Sequence, residues 1–165
     1  KHGKKYDITP YGTESMHVLR AEKGFIIVGQ DTDGSVTPKD INMDWIVSKK
    51  KEDFLGKRSF SRSDTRRTDR KQLVGLLVND KKTVLPEGSY VVDEAKPRPP
   101  MDMIGHVSSS YYSPTCDHPI ALALIKNGLN RMGDVVKIPL MSGKVIDATI
   151  TDSIFYDKEG VRNNE

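Results

Sequence analysis

Met103-Ile-Gly-His-Val-Ser-Ser-Ser110 and Ile120-Ala-Leu-Ala-Leu-Ile125 are short apolar runs, separated by the turn-forming stretch Ser113-Pro-Thr-Cys-Asp-His-Pro119. Runs of this length, bounded by Pro, Asp and Gly, read as β-strands. The same grammar extends in both directions. Upstream lie Gln72–Val78 and Ser89–Val92, and downstream lie Val135–Leu140 and Lys144–Thr151. The punctuation is Pro86-Glu-Gly88, Pro97-Arg-Pro-Pro100, Asn127-Gly128, Met132-Gly-Asp134 and Ser142-Gly143. Six short strands with no helix between them predict a small antiparallel barrel or sandwich.

Before Arg70 the pattern differs. Thr9-Pro10 reads as a helix start, with threonine at the N-cap and proline at the first helical position. Tyr11, Met16, Val18 and Leu19 form an apolar stripe and Gly24 suits the C-terminal cap, so a helix is expected over 10–23. Phe25-Ile-Ile-Val28 reads as a strand buried on both faces, and 29–34 as a loop. Thr37-Pro38 repeats the helix-start signal. Met43–Val47, with the single tryptophan Trp45, is strand-like, and a third helix is expected from Phe54 that fades by Thr65. The fold class is therefore α+β, with mixed α/β structure over 1–70 and an all-β domain over 71–165.

Charged residues make up 30% of the 165 and hydrophobic residues 36%, which fits a soluble chain with a modest core. No apolar run reaches the length of a membrane span, and the start carries no secretory signal. One cysteine, Cys116, excludes an internal disulfide and fits a reducing, cytoplasmic setting. The first residue is not Met, which suggests a fragment. Between Lys49 and Lys71 ten Lys or Arg stand against four Asp or Glu, a local +6 in a chain of net +3. Such a patch can meet a polyanion, or simply be a solvated face. Nucleic acid would call for interleaved aromatics, and only Phe54 and Phe60 are present, so no nucleic-acid partner is expected.

Catalytic motifs are scarce. No phosphate-binding glycine loop and no nucleophile elbow occurs. Asp31-Thr-Asp-Gly34 fails as a calcium loop because its glycine comes too early. Cys116 and His118 lack a second ligand pair, so no metal is expected, and no residue is marked as catalytic. What remains is a constellation of Arg20 and Glu22 at the helix end, Asp31 and Asp33 after the strand, and Trp45. Arginine offers a planar fork for a carboxylate and tryptophan a face for a flat heterocycle. On the residues alone the same set reads more readily as structure, with Trp45 in a core and Arg20 paired to Glu22 or Asp31.

Their order carries a resemblance. Leu19-Arg20-x-Glu22-x-Gly24, Gly29-x-Asp31-x-Asp33, Thr37-Pro38, Trp45 and Asp53-Phe54-x-Gly56 resemble the folate-binding aminomethyltransferase family, the glycine cleavage T-protein and its relatives. Gly105-His-Val-Ser-Ser109, Ser113-Pro114 and Ile120-Ala121 resemble that family's second signature. Within the family, Met16–Gly24, Val28–Gly34, Arg70–Leu77 and Phe155–Gly160 are most similar to the α subunits of heterotetrameric sarcosine oxidases. The resemblance implies the end of a folate-binding domain over 1–70 and a barrel over 71–165, in a longer chain. It implies tetrahydrofolate as cofactor, with NAD and flavin bound outside these residues. Partners would be the other sarcosine oxidase subunits and the N-terminal part of the same chain. The one-carbon unit from sarcosine would be captured as 5,10-methylenetetrahydrofolate, or released as formaldehyde without folate. Arg20, Trp45 and Tyr156 match folate-pocket positions, and Glu22, Asp31 and Asp33 would be structural or secondary. The family's pocket aspartate would lie upstream, so these residues alone are expected to be inactive. A T-protein-like or dimethylglycine-oxidising relative, and a non-catalytic assembly domain, are the alternatives.

Overall fold

Strand β1 (Lys71–Val78) is buried over most of its length on both faces, which requires cover on two sides. In the computed structural model, which describes residues 2–164, both covers are visible. One is the interior of a closed barrel. The other is the segment that precedes it.

The barrel is built from β1, β2 (Tyr90–Val92), β3 (Met103–Ser113), β4 (His118–Lys126), β5 (Val135–Pro139) and β6 (Val145–Thr151). They close in the order β1-β4-β3-β2-β5-β6, and every pairing is antiparallel. β1 is the closing strand. It pairs with β4 from Lys71↔Lys126 to Leu77↔Ile120, and with β6 from Gly75↔Thr151 to Val78↔Ala148. Closure removes the free edges that an open sheet would expose. The interior is filled by Val74, Leu76, Val107, Ile125, Ile138 and Ile150 among others, all essentially inaccessible.

β6 buries alternate residues and leaves the others at least partly accessible, as a strand with one wet face should. β4 does not. Its run Ile120–Ile125 is buried throughout because the outward Leu122 and Leu124, with Leu73 of β1, form a second cluster. Ile26, Val36 and Ile41 from the preceding segment and Phe155 from the C-terminal strap cover it. Burying each such leucine contributes roughly 1.5–3 kcal/mol. This outer cluster is the apolar part of what attaches the first seventy residues to the barrel.

In the first seventy residues the structure departs from several expectations. The helix, α1, spans Thr13–Glu22 with Gly12 at its N-cap, so Thr9-Pro10 lies outside it. Ile8 and Tyr11 are about two-thirds exposed and give nothing to pack an earlier turn against. The stripe of Met16 and Leu19 is also exposed, and α1 buries Ala21 and Glu22 instead. Its end follows the sequence. Gly24 has φ +69°, its N–H donates to Ala21 O and that of Phe25 to Arg20 O, the paired bonds of a Schellman cap. Phe25–Val28 is not a strand. Among the described residues no strand pairs with it, and the Ile27 carbonyl accepts from Gln30 and Asp31 in a turn. Phe25 and Val28 are 65% and 85% exposed.

Thr37-Pro38 does start a helical turn, of 3-10 type over Pro38–Ile41, with Asp40 Oδ2 accepting from Thr37 N and Oγ1, each at 2.8 Å. The expected strand at Met43–Val47 is instead a 3-10 turn over Asp44–Ile46, and the third helix shrinks to a 3-10 turn over Lys57–Ser61. Among the described residues no strand pairs with either segment to convert its apolar residues into regular structure. No helix among the described residues is long and apolar enough to cross a membrane.

Candidate ligand-binding site

Arg20 sits in the last turn of α1, where the helix dipole favours a cation. Its guanidinium reaches across to β3. Nη1 donates to Asp31 Oδ2 at 2.6 Å and to Phe25 O at 3.1 Å. Nη2 donates to Ser109 Oγ at 2.7 Å and Tyr111 OH at 3.2 Å, and the group lies 5.6 Å from the Tyr111 ring centroid. The four η hydrogens thus have four acceptors. Only the buried Nε–H is left without a partner.

Asp31 is the centre of this network and is 1% exposed. Its Oδ2 also accepts from Ile27 N at 2.8 Å, and its Oδ1 accepts from Ser108 Oγ at 2.5 Å and Ser109 Oγ at 2.6 Å. Two consecutive strand residues ordinarily point to opposite faces. Here β3 carries a bulge, since Val107 faces Ala123 while Ser109 faces Leu122. The bulge turns both hydroxyls toward one carboxylate oxygen. Burial alone would raise the Asp31 pKa. The Ile27 N–H, the two serine hydroxyls and the Arg20 charge outweigh it and hold the carboxyl below its usual range.

Glu22 is 2% exposed and makes a second tie to β3, accepting from Ser113 Oγ at 2.6 Å. Its backbone carbonyl accepts from the N–H groups of Phe155 and Tyr156, which docks the C-terminal strap on the end of α1. A third tie joins Arg70 to the Pro38–Ile41 turn. Arg70 Nε and Nη2 clamp the two oxygens of Asp40 at 2.9 and 2.7 Å, while Nη1 reaches Asp64 at 2.6 Å.

The structure therefore brings Arg20, Glu22 and Asp31 onto one strand of the barrel, and leaves the other named residues elsewhere. Asp33 is exposed and closes a local turn by accepting from Ser35 N and Oγ. Trp45 is neither core nor network, for it is 77% exposed on the Asp44–Ile46 turn. Tyr156 is half-buried, with the Arg162 guanidinium 5.5 Å from its ring centroid. Among the described residues no hydrogen bond or ring contact joins Trp45 or Tyr156 to Arg20. Sequence reasoning missed Ser108, Tyr111, Gln30 and the Arg70–Asp40 clamp. Gln30 Nε2 donates to Ser109 Oγ at 3.1 Å and Glu87 Oε1 at 3.0 Å. The available signal was Ser108-Ser-Ser110, three hydroxyls inside an apolar strand pattern, which need buried partners.

Chemically, the network is a closed polar clamp. It offers no nucleophile–base pair, and an incoming carboxylate would have to displace Ser109 or Tyr111 to gain the Arg20 fork. The open surface lies elsewhere. A cavity of about 310 Å³ is lined by Arg70, Lys71, His106 and Leu124 among others. Two adjoining clefts of about 580 and 540 Å³ share Phe54, Phe60 and Thr65.

Fold and motif together define the class. Residues 71–157 match the glycine cleavage T-protein C-terminal barrel domain, and residues 1–51 match the GCVT N-terminal domain. The chain belongs to the glycine cleavage T-protein family. Over 98% of its length it is 53% identical to the sarcosine oxidase subunit alpha of Corynebacterium sp. (strain P-1), of which it spans 17%. The aminomethyltransferase of Clostridium botulinum (strain Okra / Type B1) is 31% identical over 95% of the chain and 40% of that protein. Among solved structures, the glycine cleavage system aminomethyltransferase T from Bartonella henselae superposes with a TM-score of 0.72 at 26% identity, covering 86% of this chain and 38% of that one.

Proposed function

We propose that these residues form the C-terminal end of a sarcosine oxidase-type α subunit, with 1–70 completing a folate-binding domain and 71–165 forming its barrel. In that protein the one-carbon unit released from sarcosine is captured by tetrahydrofolate as 5,10-methylenetetrahydrofolate. NAD and flavin are held outside these residues, and the partners are the other subunits and the preceding part of the same chain. The observation that carries the reading is the 53% identity over 98% of the chain.

The residues fit folate in part. The exposed ring of Trp45 is free to stack on a flat heterocycle. Tyr156 is the second aromatic assigned to the pocket. Arg20 contributes by position, because its η hydrogens are spent on Asp31, Phe25, Ser109 and Tyr111, and only Nε–H remains to donate. Arg20→Ala is consequently a poor test, since it strands the buried Asp31 charge. Trp45→Ala is a better one. In the assembled enzyme it should leave sarcosine oxidation intact, lower the yield of methylenetetrahydrofolate and raise free formaldehyde.

The spent donors of Arg20 favour a second reading, in which the fold serves only assembly. Unchanged folate coupling in Trp45→Ala would select that reading. A T-protein-like or dimethylglycine-oxidising activity is the remaining alternative, and comparing amine substrates in the assembled enzyme separates it.

A further inference from the structure

The basic stretch 49–71 is used by neither reading, and its charges fall into two groups. Around the cavity beside His106, the cations Arg67, Arg70, Lys71 and Lys126 face the anions Asp33, Asp40, Asp64 and Asp69. Most are paired, as Arg70 with Asp40 and Asp64, Arg67 with Asp69, and Lys126 with Asp69. That cavity is electrically self-satisfied.

The two adjoining clefts are not. They are lined by Lys39, Lys51, Lys57, Arg62 and Arg66, against Asp44 alone, a surplus of four positive charges. None of these five cations has a carboxylate partner among the described residues, and the Lys57 ammonium goes to the Glu52 backbone carbonyl. Between them lies an apolar floor. Phe54 and Phe60 are half-buried, Ile46 is 49% exposed, and Leu55 is fully exposed. An apolar floor ringed by unpaired cations is the complement of an acidic polypeptide segment carrying an apolar anchor.

We infer that this double cleft is a docking surface for an acidic protein segment, with its carboxylates on the Arg62–Arg66 rim and an aromatic or aliphatic side chain between Phe54 and Phe60. The inference does not depend on folate binding. Nucleic acid is the competing polyanion. It is disfavoured because the phenylalanine rings lie half-buried in the floor, whereas stacked bases need exposed faces.

The test uses the full-length chain and a labelled glutamate-rich peptide with one central phenylalanine, measured by fluorescence anisotropy at low salt. The peptide should bind, and its affinity should fall as salt rises. The double variant Arg62→Glu, Arg66→Glu should weaken binding by about tenfold or more. Neither side chain makes a hydrogen bond or ion pair among the described residues, so the variant should melt as the parent does. A peptide with glutamine in place of glutamate should bind correspondingly more weakly. No binding at low salt, indifference to the charge reversal, equal binding of the glutamine peptide, or tighter binding of duplex DNA would each overturn the inference.

Discussion

At Asp31 a buried carboxylate stays charged because every oxygen lone pair facing the protein is used. Four donors converge on it, from Ile27, Arg20, Ser108 and Ser109. Removing one member of a buried pair leaves the other uncompensated, so Asp31→Ala should cost about 3–5 kcal/mol in denaturant unfolding. The pH dependence follows from the direction of the shift. The folded pKa of Asp31 is lowered, as is that of Asp40, where burial is outweighed by the Arg70 clamp and the Thr37 donors. Both groups contribute stability that is fully present above the unfolded value of about 4 and is lost as pH falls through the folded value. Acid titration of stability should therefore steepen below about pH 4, and Asp31→Asn should flatten it. Gly24 makes a different residue-scale case. It needs φ +69° for the helix cap, and a Cβ there would stand 2.6 Å from Ser153 O. Gly24→Ala should destabilise by more than the roughly 1 kcal/mol of a simple glycine-to-alanine conflict, read as a drop in the denaturation midpoint.

Between elements, the tie of α1 to the barrel runs through β3 and the strap that follows β6. The β3 bulge supplies two hydroxyls to one oxygen, and the strap supplies two N–H groups to the Glu22 carbonyl. Gly75 of β1 lies directly against that strap. A Cβ there would collide with the backbone carbonyl of Asp152 and the ring of Phe155. Gly75→Ala should force the strap outward, at a cost of about 1–3 kcal/mol for overpacking. Amides of Phe155 and Tyr156, whose bonds end on Glu22, should exchange faster in the variant while β5 and β6 keep their protection. Equal exchange in both proteins would show that the strap does not lean on Gly75.

Across the whole molecule, order follows hydrogen-bonded closure. The barrel satisfies its backbone internally, whereas residues 37–65 are held by short 3-10 turns and a few side-chain ties. Phe25, Val28, Trp45 and Leu55 stand exposed. Native-state hydrogen exchange should show β1, β3 and β4 as the most protected elements and residues 37–65 among the least. Protection over 10–50 equal to that of the barrel would contradict this picture.

The barrel was legible in the sequence because its signals are local. Six short apolar runs and the turns between them specify strands wherever a partner exists, and here each strand supplies its neighbour's. The Gly24 cap and the Thr37-Pro38 start were legible for the same reason. Phe25–Val28 and Met43–Val47 were misread because an apolar run becomes a strand only beside an edge that can pair with it, which tertiary structure alone provides. The site divides in the same way. Its residue types and their order, from Arg20 and Asp31 to Ser109, were written in the chain. That Arg20 spends its η hydrogens on Asp31, Phe25, Ser109 and Tyr111, while Trp45 stands apart in the open, was decided by the fold, because a bulge in one strand aims two hydroxyls at a carboxylate nearly eighty residues away.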